Sequence, residues 1–474
     1  MTASTQLVWL RHDLRVMDNP ALYDASQHGP VTAVVTLTPK QWQQHDRAPV
    51  QVDLLLRHLK TLQQALGDSG ISLKVCQVDD FAAVPEALLA LARQLKITHL
   101  RFNDQYEWDE RIRDDAVETA FQAAGYSVHR YLDQTLFAPG QLLTGQGDYY
   151  TVFTPFYKRW LSRLLEVDLT PLPAPNHQSG PVEHDPLPTQ LPGWESPIAS
   201  TLWPAGCEHA LARLDHFVDE HLINYDTQRD LPAVEGTSTL SPYLALGAVS
   251  IRQCLQAVMA HTQGQVPTGK DGPGRWVAEL VWREFYRHIM AGFPRVCRYR
   301  AFKTETERLS WREDPEGLSR WQAGQTGFPL VDAAMRQLVQ TGWMHNRLRM
   351  LTAMFLSKHL LIDWRLGEQF FMQHLVDGDL AANNGGWQWA ASTGTDAAPY
   401  FRLFNPYRQS ERFDLQGEFI RKFIPELHSL SNKSIHQPPT SQCDQLNYPH
   451  PCVDLKEARD RVMHAFDAIK VEKT

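Results

Sequence analysis

The sequence predicts an α/β N-terminal domain built on a parallel sheet, linked to an all-α C-terminal domain. Three observations carry that prediction. Short apolar runs alternate with helix-period stretches over residues 1–135, a proline-rich segment follows, and the pattern from about Cys207 onward is helical with many aromatics.

The strand candidates are Gln6–Leu10, Val31–Leu37, Ile71–Gln77, Ile97–Asn103 and Ser127–Tyr131. Between them lie the helical stretches Val52–Leu66, Val84–Leu95 and Glu110–Ala124. Apolar strands separated by helices read as βαβ units. Such sheets take ligands at the carboxyl ends of their strands. Two polar clusters fall there, Arg11-His12-Asp13 and the run from Asn103 to Glu107. Neither GxGxxG nor GxxxxGK[ST] occurs, which argues against a nucleotide held by either fingerprint. Residues Thr170 to Ser200 hold eight prolines and few periodic apolar positions, as a surface-wrapped linker would. The helical part shows apolar stripes at Leu211–Ile223, Trp276–Ile289, Leu330–Gln340 and Leu348–Leu361. The expected division is an α/β domain over 1–135, an interdomain linker over 136–204 and a helical domain over 205–474.

At 474 residues, 43% hydrophobic and 21% charged, the chain has the composition of a two-domain globular protein. Met1 to Gln6 carry no basic cluster leading into an apolar core, and no apolar run reaches bilayer length. The six cysteines are scattered and form no CxxC pair, so neither a metal site nor a disulfide framework is expected. A reduced, cytoplasmic compartment fits, with no membrane contact and no call for an obligate oligomer, so a monomer is expected. The net charge of −8 conceals an uneven distribution. From Arg275 to Arg365 there are 15 Lys+Arg against 9 Asp+Glu, and all but Lys303 and Lys358 of these cations are arginine. A basic, arginine-rich segment in an acidic chain suits a polyanion, although a solvated charged face would look the same.

Three segments carry chemistry. The run Gly236–Gly247 (GTSTLSPYLALG) sets four hydroxyls before an apolar helical stretch, with Pro242 in the first turn and Ser241 as the expected cap. Free amides and hydroxyls at a helix start can receive a phosphate or pyrophosphate, while plain capping needs only one of them. The run Trp343–Arg349 (WMHNRLR) opens a helix on which Asn346, Arg349 and Met350 share a face, and a buried arginine there would need a partner. The run Val376–Trp389 (VDGDLAANNGGWQW) is dense in small, acidic and amide residues. It lacks the oxygen ladder and closing Glu of a calcium loop. Of the fourteen tryptophans, most are expected to be core; a subset beside basic residues could stack on bases.

Together these segments resemble the photolyase/cryptochrome family, and within it the class I cyclobutane-dimer photolyases of bacteria. The resemblance runs from Leu7 to about Val462. It rests on WLRHDLR at Trp9–Arg15 with Asp18-Asn19-Pro20, on Thr237–Gly247, on WREFY at Trp282–Tyr286, on Trp343–Met350 and on Asp377–Trp389, in that order. It implies an N-terminal antenna domain and a C-terminal domain that binds FAD. The FAD contacts it implies are Tyr225, the stretch Thr237, Ser238, Thr239, Leu240 and Ser241 at the pyrophosphate, then Asn346, Arg349, Asp377, Gly378, Asp379 and Asn383. Asn383 would face the flavin N5.

The implied reaction is light-driven repair of cyclobutane pyrimidine dimers in DNA, with an electron passed from excited reduced flavin and then returned. Glu279, Asn346, Met350 and Asn383 would serve it directly, while Arg229, Glu279, Trp282, Arg283, Tyr286, Asn346, Arg347 and Trp389 would contact DNA. The lesion would have to leave the duplex stack, and the general account of base flipping names photolyases among its examples. Trp311, Trp364 and Trp387 match the relay that photoreduces oxidised flavin. His45, Asp109, Glu110 and Cys297 match the positions that bind a methenyltetrahydrofolate antenna, with Asp109 where Asn is usual and Arg298 where Lys is usual. The main rival is a cryptochrome that signals without repairing; such photoreceptors usually carry Asp or Cys where this chain has Asn383. Repair of (6-4) photoproducts would call for histidines in place of Asn346 and Met350, and a flavin-free DNA-binding module would leave the hydroxyl-rich and Asp377–Asn383 segments without a purpose.

Overall fold

The computed structural model describes residues 4–471. Five parallel strands, β1 (Gln6–Leu10), β2 (Val31–Leu37), β3 (Ser72–Gln77), β4 (His99–Asn103) and β5 (Ser127–Tyr131), form one sheet in the order β3-β2-β1-β4-β5. The α/β expectation is met, with strand limits moved by at most two residues. In register, Val8 on β1 faces Ala33 on one side and Arg101 on the other. All five residues of β1 are buried, as the central strand of a parallel sheet covered on both faces should be. Trp9 packs edge-on against Phe102 with ring centroids 5.4 Å apart, in the core that also holds Leu88, Leu100 and Phe121.

The helices between strands run Pro20–His28, Pro49–Asp68, Val84–Gln94 and Trp108–Ala123. Asn19 caps the first by accepting from the Leu22 amide, with Pro20 at the first helical position. The Asp18-Asn19-Pro20 motif is thus a helix start. The proline-rich segment lies along the sheet edge. The Asp185 amide donates to the Leu73 carbonyl, and the Val75 amide donates to the Asp185 carboxylate at 3.0 Å. Pairing of this kind protects an edge strand. The span 136–204, expected as a linker, also contains a helix, Phe153–Leu164, which buries Phe156, Trp160 and Leu164.

The chain forms two compact units. The first takes the chain up to Ile223, Ser238–Pro294 and Val376–Gly378; the second takes Asn224–Thr237, Arg295–Leu375 and the chain from Asp379. Within the first, buried ion pairs join distant stretches. Arg15 pairs with Asp133 and donates to the Gly247 carbonyl, and Arg252 meets Asp18 at 2.8 Å. The second is all helix and loop among its described residues. Its core gathers Phe328, Met335, Leu348, Leu351, Phe355, Trp364 and Trp387. The stripe expected at Leu348–Leu361 is an α-helix, Asn346–Met354, that passes into a π-turn, Phe355–His359.

Candidate functional site

In the first unit the strand ends enclose a pocket of about 550 Å³, counting its open mouth. Arg11 and His12 follow β1, Thr36 and Leu37 end β2, and Gln105 follows β4, so the pocket lies where α/β sheets bind ligands. Trp42, Phe81, Arg47 and Arg113 complete its wall with the expected His45 and Glu110. Burial lowers Arg11 and Arg47 to about 10, which leaves both charged at neutral pH. His45 lies 3.0 Å from Asp109 and 3.6 Å from Glu110. Burial pulls its pKa down, but the Asp109 hydrogen bond and the Glu110 charge outweigh that and leave it above the ordinary histidine value. Cys297, the fourth expected antenna residue, belongs to the second unit, in the short 3-10 stretch Pro294–Arg298.

The helix Gly272–Gly292 also belongs to the first unit. Its buried positions include Trp276, Val277, Leu280, Val281, Glu284 and Phe285. Glu279, Trp282, Arg283 and Tyr286 are all half-buried. Their spacing of three and four puts them on one stripe, so the expected DNA residues share a face. Arg283 also has a structural task, donating to the carbonyls of Gln134 at 2.8 Å and Leu244 at 3.1 Å. Buried Glu284 accepts the amides of Leu136 and Phe137.

The hydroxyl-rich run departs from expectation in one detail. Ser241 is the first residue of the helix Ser241–Leu246, not its cap; Leu240 holds the cap position and offers no side-chain hydrogen bond. A left-handed Thr239 (φ 47°) turns the chain just before it. Its hydroxyl accepts from Arg213, and the Ser238 hydroxyl accepts from the Trp276 indole at 3.4 Å.

In the second unit, Asn346, Arg349 and Met350 lie on the more accessible side of the helix Asn346–Met354, while Leu348, Leu351 and Thr352 are buried. The Arg347 guanidinium meets Asp230 at 2.7 Å and covers the Phe413 ring. Arg349 donates to the Met344 carbonyl at 2.7 Å. Arg229 sits over the buried Tyr225 ring. His345 caps this helix by accepting the Arg347 amide at Nδ1. The neutral ring therefore carries its proton on Nε2, which is buried without a partner among the described residues. Burial lowers the His345 pKa to about 4.

The helix Leu380–Ala391 is capped by Asp379, whose side chain accepts the Ala382 amide. The second half of the Val376–Trp389 segment is therefore a helix with buried amides. Asn383 donates from Nδ2 to the Glu368 carbonyl at 3.0 Å, and Asn384 donates to the Glu368 carboxylate at 2.8 Å. Gln388 donates in turn to Asn384 and accepts the Phe302 amide. With Nδ2 of Asn383 committed, its Oδ1 is the end left to accept. Asp377 and Gly378 stand with the first unit, where the Gly378 carbonyl accepts from Gln51.

Trp364 and Trp387 are enclosed in the core of this unit, with Trp311 and Trp389 packed against its edge. Trp387 meets Trp321 at 5.9 Å and Phe371 at 5.0 Å, both edge-on. A Cβ on Gly367 would fall 2.1 Å from the Trp387 ring, so only glycine lets that helix approach. The indole N–H groups of Trp364 and Trp387 find no acceptor among the described residues.

Sequence reasoning missed Trp42, Phe81, Arg47 and Arg113, which no local pattern marks, and Phe153, discussed below. For Phe153 a signal existed: Phe153, Phe156, Trp160 and Leu164 recur at helical spacing. Among the described residues no cluster of His, Cys, Asp and Glu suits a metal ion, and no helix is long and apolar enough to cross a membrane.

Comparison with known proteins matches residues 6–176 to the DNA photolyase family and residues 276–468 to the FAD binding domain of DNA photolyase. The chain is 48% identical to the deoxyribodipyrimidine photo-lyase of Salmonella typhimurium, over 98% of this chain and 99% of that one. It is 46% identical to that of Escherichia coli, over 99% and 100%. Among solved structures, a bacterial class III photolyase from Agrobacterium tumefaciens superposes with a TM-score of 0.86 at 34% identity, covering 100% of this chain and 99% of the other. Similarity along nearly the full length, over both the parallel-sheet region and the helical one, establishes that this chain belongs to the DNA photolyase family.

Proposed function

We propose that this chain repairs cyclobutane pyrimidine dimers in DNA under light, with FAD as its cofactor. The observation that carries the reading is the buried Asn383 amide, oriented by the Glu368 carbonyl so that it presents an oxygen. That oxygen can accept the N5–H that a reduced flavin carries and an oxidised one lacks, so the residue favours reduced cofactor. The chemistry that FAD supplies when bound is light-driven transfer of an electron to the dimer, and its return once the ring has opened. Arg349 and Asp379 would hold the cofactor beside Asn383, with Tyr225, Asp377 and Gly378 as further contacts. The hydroxyl stretch Thr237–Ser241 would take its pyrophosphate.

The chain's remaining task is to extrude and grip the lesion. Trp282 and Trp389 would stack on the displaced bases, Glu279 and Asn346 would hydrogen-bond them, and Met350 would fill the space beneath. Base–aromatic stacking of this kind contributes about 1–3 kcal/mol per base. Arg229, Arg283, Tyr286 and Arg347 would contact the DNA. Trp387, Trp364 and Trp311 would relay electrons to oxidised cofactor, the first two enclosed in the core and Trp311 at its edge. For the antenna we favour methenyltetrahydrofolate, with His45, Asp109 and Glu110 as contacts and Cys297 kept from the family pattern. Asp109 and Glu110 raise the His45 pKa and so favour the form that donates toward a folate ring.

Illumination of the purified protein with thymine-dimer DNA tests the reading. Dimers should disappear in light and persist in a dark control. Dimers that survive illumination while reduced flavin is bound would favour the photoreceptor alternative.

A further inference from the structure

We propose that Phe153 is a positioning residue for Trp282, backing one face of the indole so that the opposite face is held ready for a base. The inference rests on the reading of Trp282 as a base-stacking residue and adds to it a second ring that sets its orientation.

The geometry is specific. The Phe153 and Trp282 rings lie 3.7 Å apart between centroids and 7° from parallel. Tyr157, one turn further along the helix Phe153–Leu164, lies nearly parallel to Phe153 at 5.5 Å and 12°. Three rings are thus stacked in order, Tyr157, Phe153, Trp282, with the middle one buried: Phe153 is 8% exposed, whereas Tyr157 and Trp282 are half-buried. Phe285 meets Trp282 edge-on at 5.6 Å and 82°, and Tyr286 meets it at 5.5 Å and 35°. Among the described residues no second ring lies parallel to the indole, so the outer face has no stacked partner of its own.

A half-exposed tryptophan on a helix can swing among rotamers, and each rotamer but one misdirects its face. Freezing that motion when DNA binds weakens affinity. A ring already stacked behind the indole freezes it beforehand, and Phe285 at the edge blocks rotation in the plane. Phe153 is itself anchored by Phe285, at 5.8 Å and 77°, and by Tyr157. The ligand that completes the stack is a flat π-face, meaning a pyrimidine base drawn out of its helix.

The test is a cycle of variants, with binding to dimer-containing DNA measured alongside repair kinetics. Phe153→Leu keeps apolar volume and removes the ring. It should weaken binding by about tenfold and raise KM, with kcat for bound substrate unchanged, because the reacting groups are untouched. Phe153→Tyr should restore binding. In a Trp282→Ala background, Phe153→Leu should add no further loss, since there is no indole left to orient. Full additivity in that background, or wild-type affinity for Phe153→Leu beside a weakened Trp282→Ala, would overturn the inference. Wild-type affinity for Trp282→Ala alone would instead overturn the reading on which it rests. Thermal unfolding of each variant separates a packing loss from a positioning loss, and if Phe153→Leu does not fold, Phe153→Met takes its place in the same cycle.

Discussion

His45 and His345 are the same side chain with pKa shifts of opposite sign. In the α/β region His45 is flanked by Asp109 and Glu110, which keep its pKa above the ordinary value despite burial. In the helical region His345 has Asp230 in its field but also Arg229, Arg347 and Arg349, and burial lowers its pKa to about 4. His359, on the π-turn, is lowered by burial to the same value. Burial lowers Lys358 beside it to about 7, and its amine donates to the carbonyls of Pro399 and Arg402. The first region thus buries the pairs Arg15–Asp133 and Arg11–Asp114, while in the second burial lowers His345, His359 and Lys358. Two tryptophans also differ in exposure. Trp282 keeps an accessible face, whereas Trp387, at 2% exposure, is enclosed. An accessible ring can bind; an enclosed one can only pack or pass an electron.

The widest separation should come from Trp387→Phe. It keeps an apolar ring in the same cavity and should abolish photoreduction of oxidised flavin, read by absorbance under illumination, while repair by chemically reduced enzyme survives. Loss of both would show that Trp387 also shapes the repair site.

Next in size is the acid response of His345. Its folded pKa lies below the unfolded value near 6.5, so the unfolded chain takes up a proton that the folded one refuses. The stability of the neutral ring is complete above pH 6.5 and is lost as pH falls toward 4, by roughly 3 kcal/mol over the whole window. His345→Asn keeps a capping acceptor and should flatten that part of the unfolding-versus-pH curve. An unchanged slope between pH 6.5 and 5 would assign the acid response elsewhere, with His359 the next group to test.

Smaller still, Trp282→Ala should weaken binding to dimer-containing DNA by about 1–3 kcal/mol and leave photoreduction intact. If Trp282→Ala affects photoreduction or Trp387→Phe affects binding, the contrast between accessible and enclosed rings fails.

Much of this was legible without coordinates. Parallel strands buried on both faces leave continuous apolar runs, and β1 and β2 begin and end where those runs do. The stripe Glu279–Tyr286 and the shared face of Asn346 and Met350 follow from helical spacing alone. Other features depended on long-range context. The left-handed turn at Thr239 moved the helix start past the hydroxyl expected to cap it. Phe153 lay in a stretch expected as linker, although its own helical spacing with Phe156, Trp160 and Leu164 was there to read, and its partner is on another helix.

By itself the amino-acid sequence determined the elements and the motif order, because both depend on periodicity and residue type over short windows. Tertiary structure alone decided which groups carry charge and which way they face. The Glu368 carbonyl orients the Asn383 amide, desolvation sets the state of His345, and a ring from a separate helix backs Trp282. Those outcomes depend on dielectric and on contact between residues far apart in the chain, and neither is a property of any local stretch.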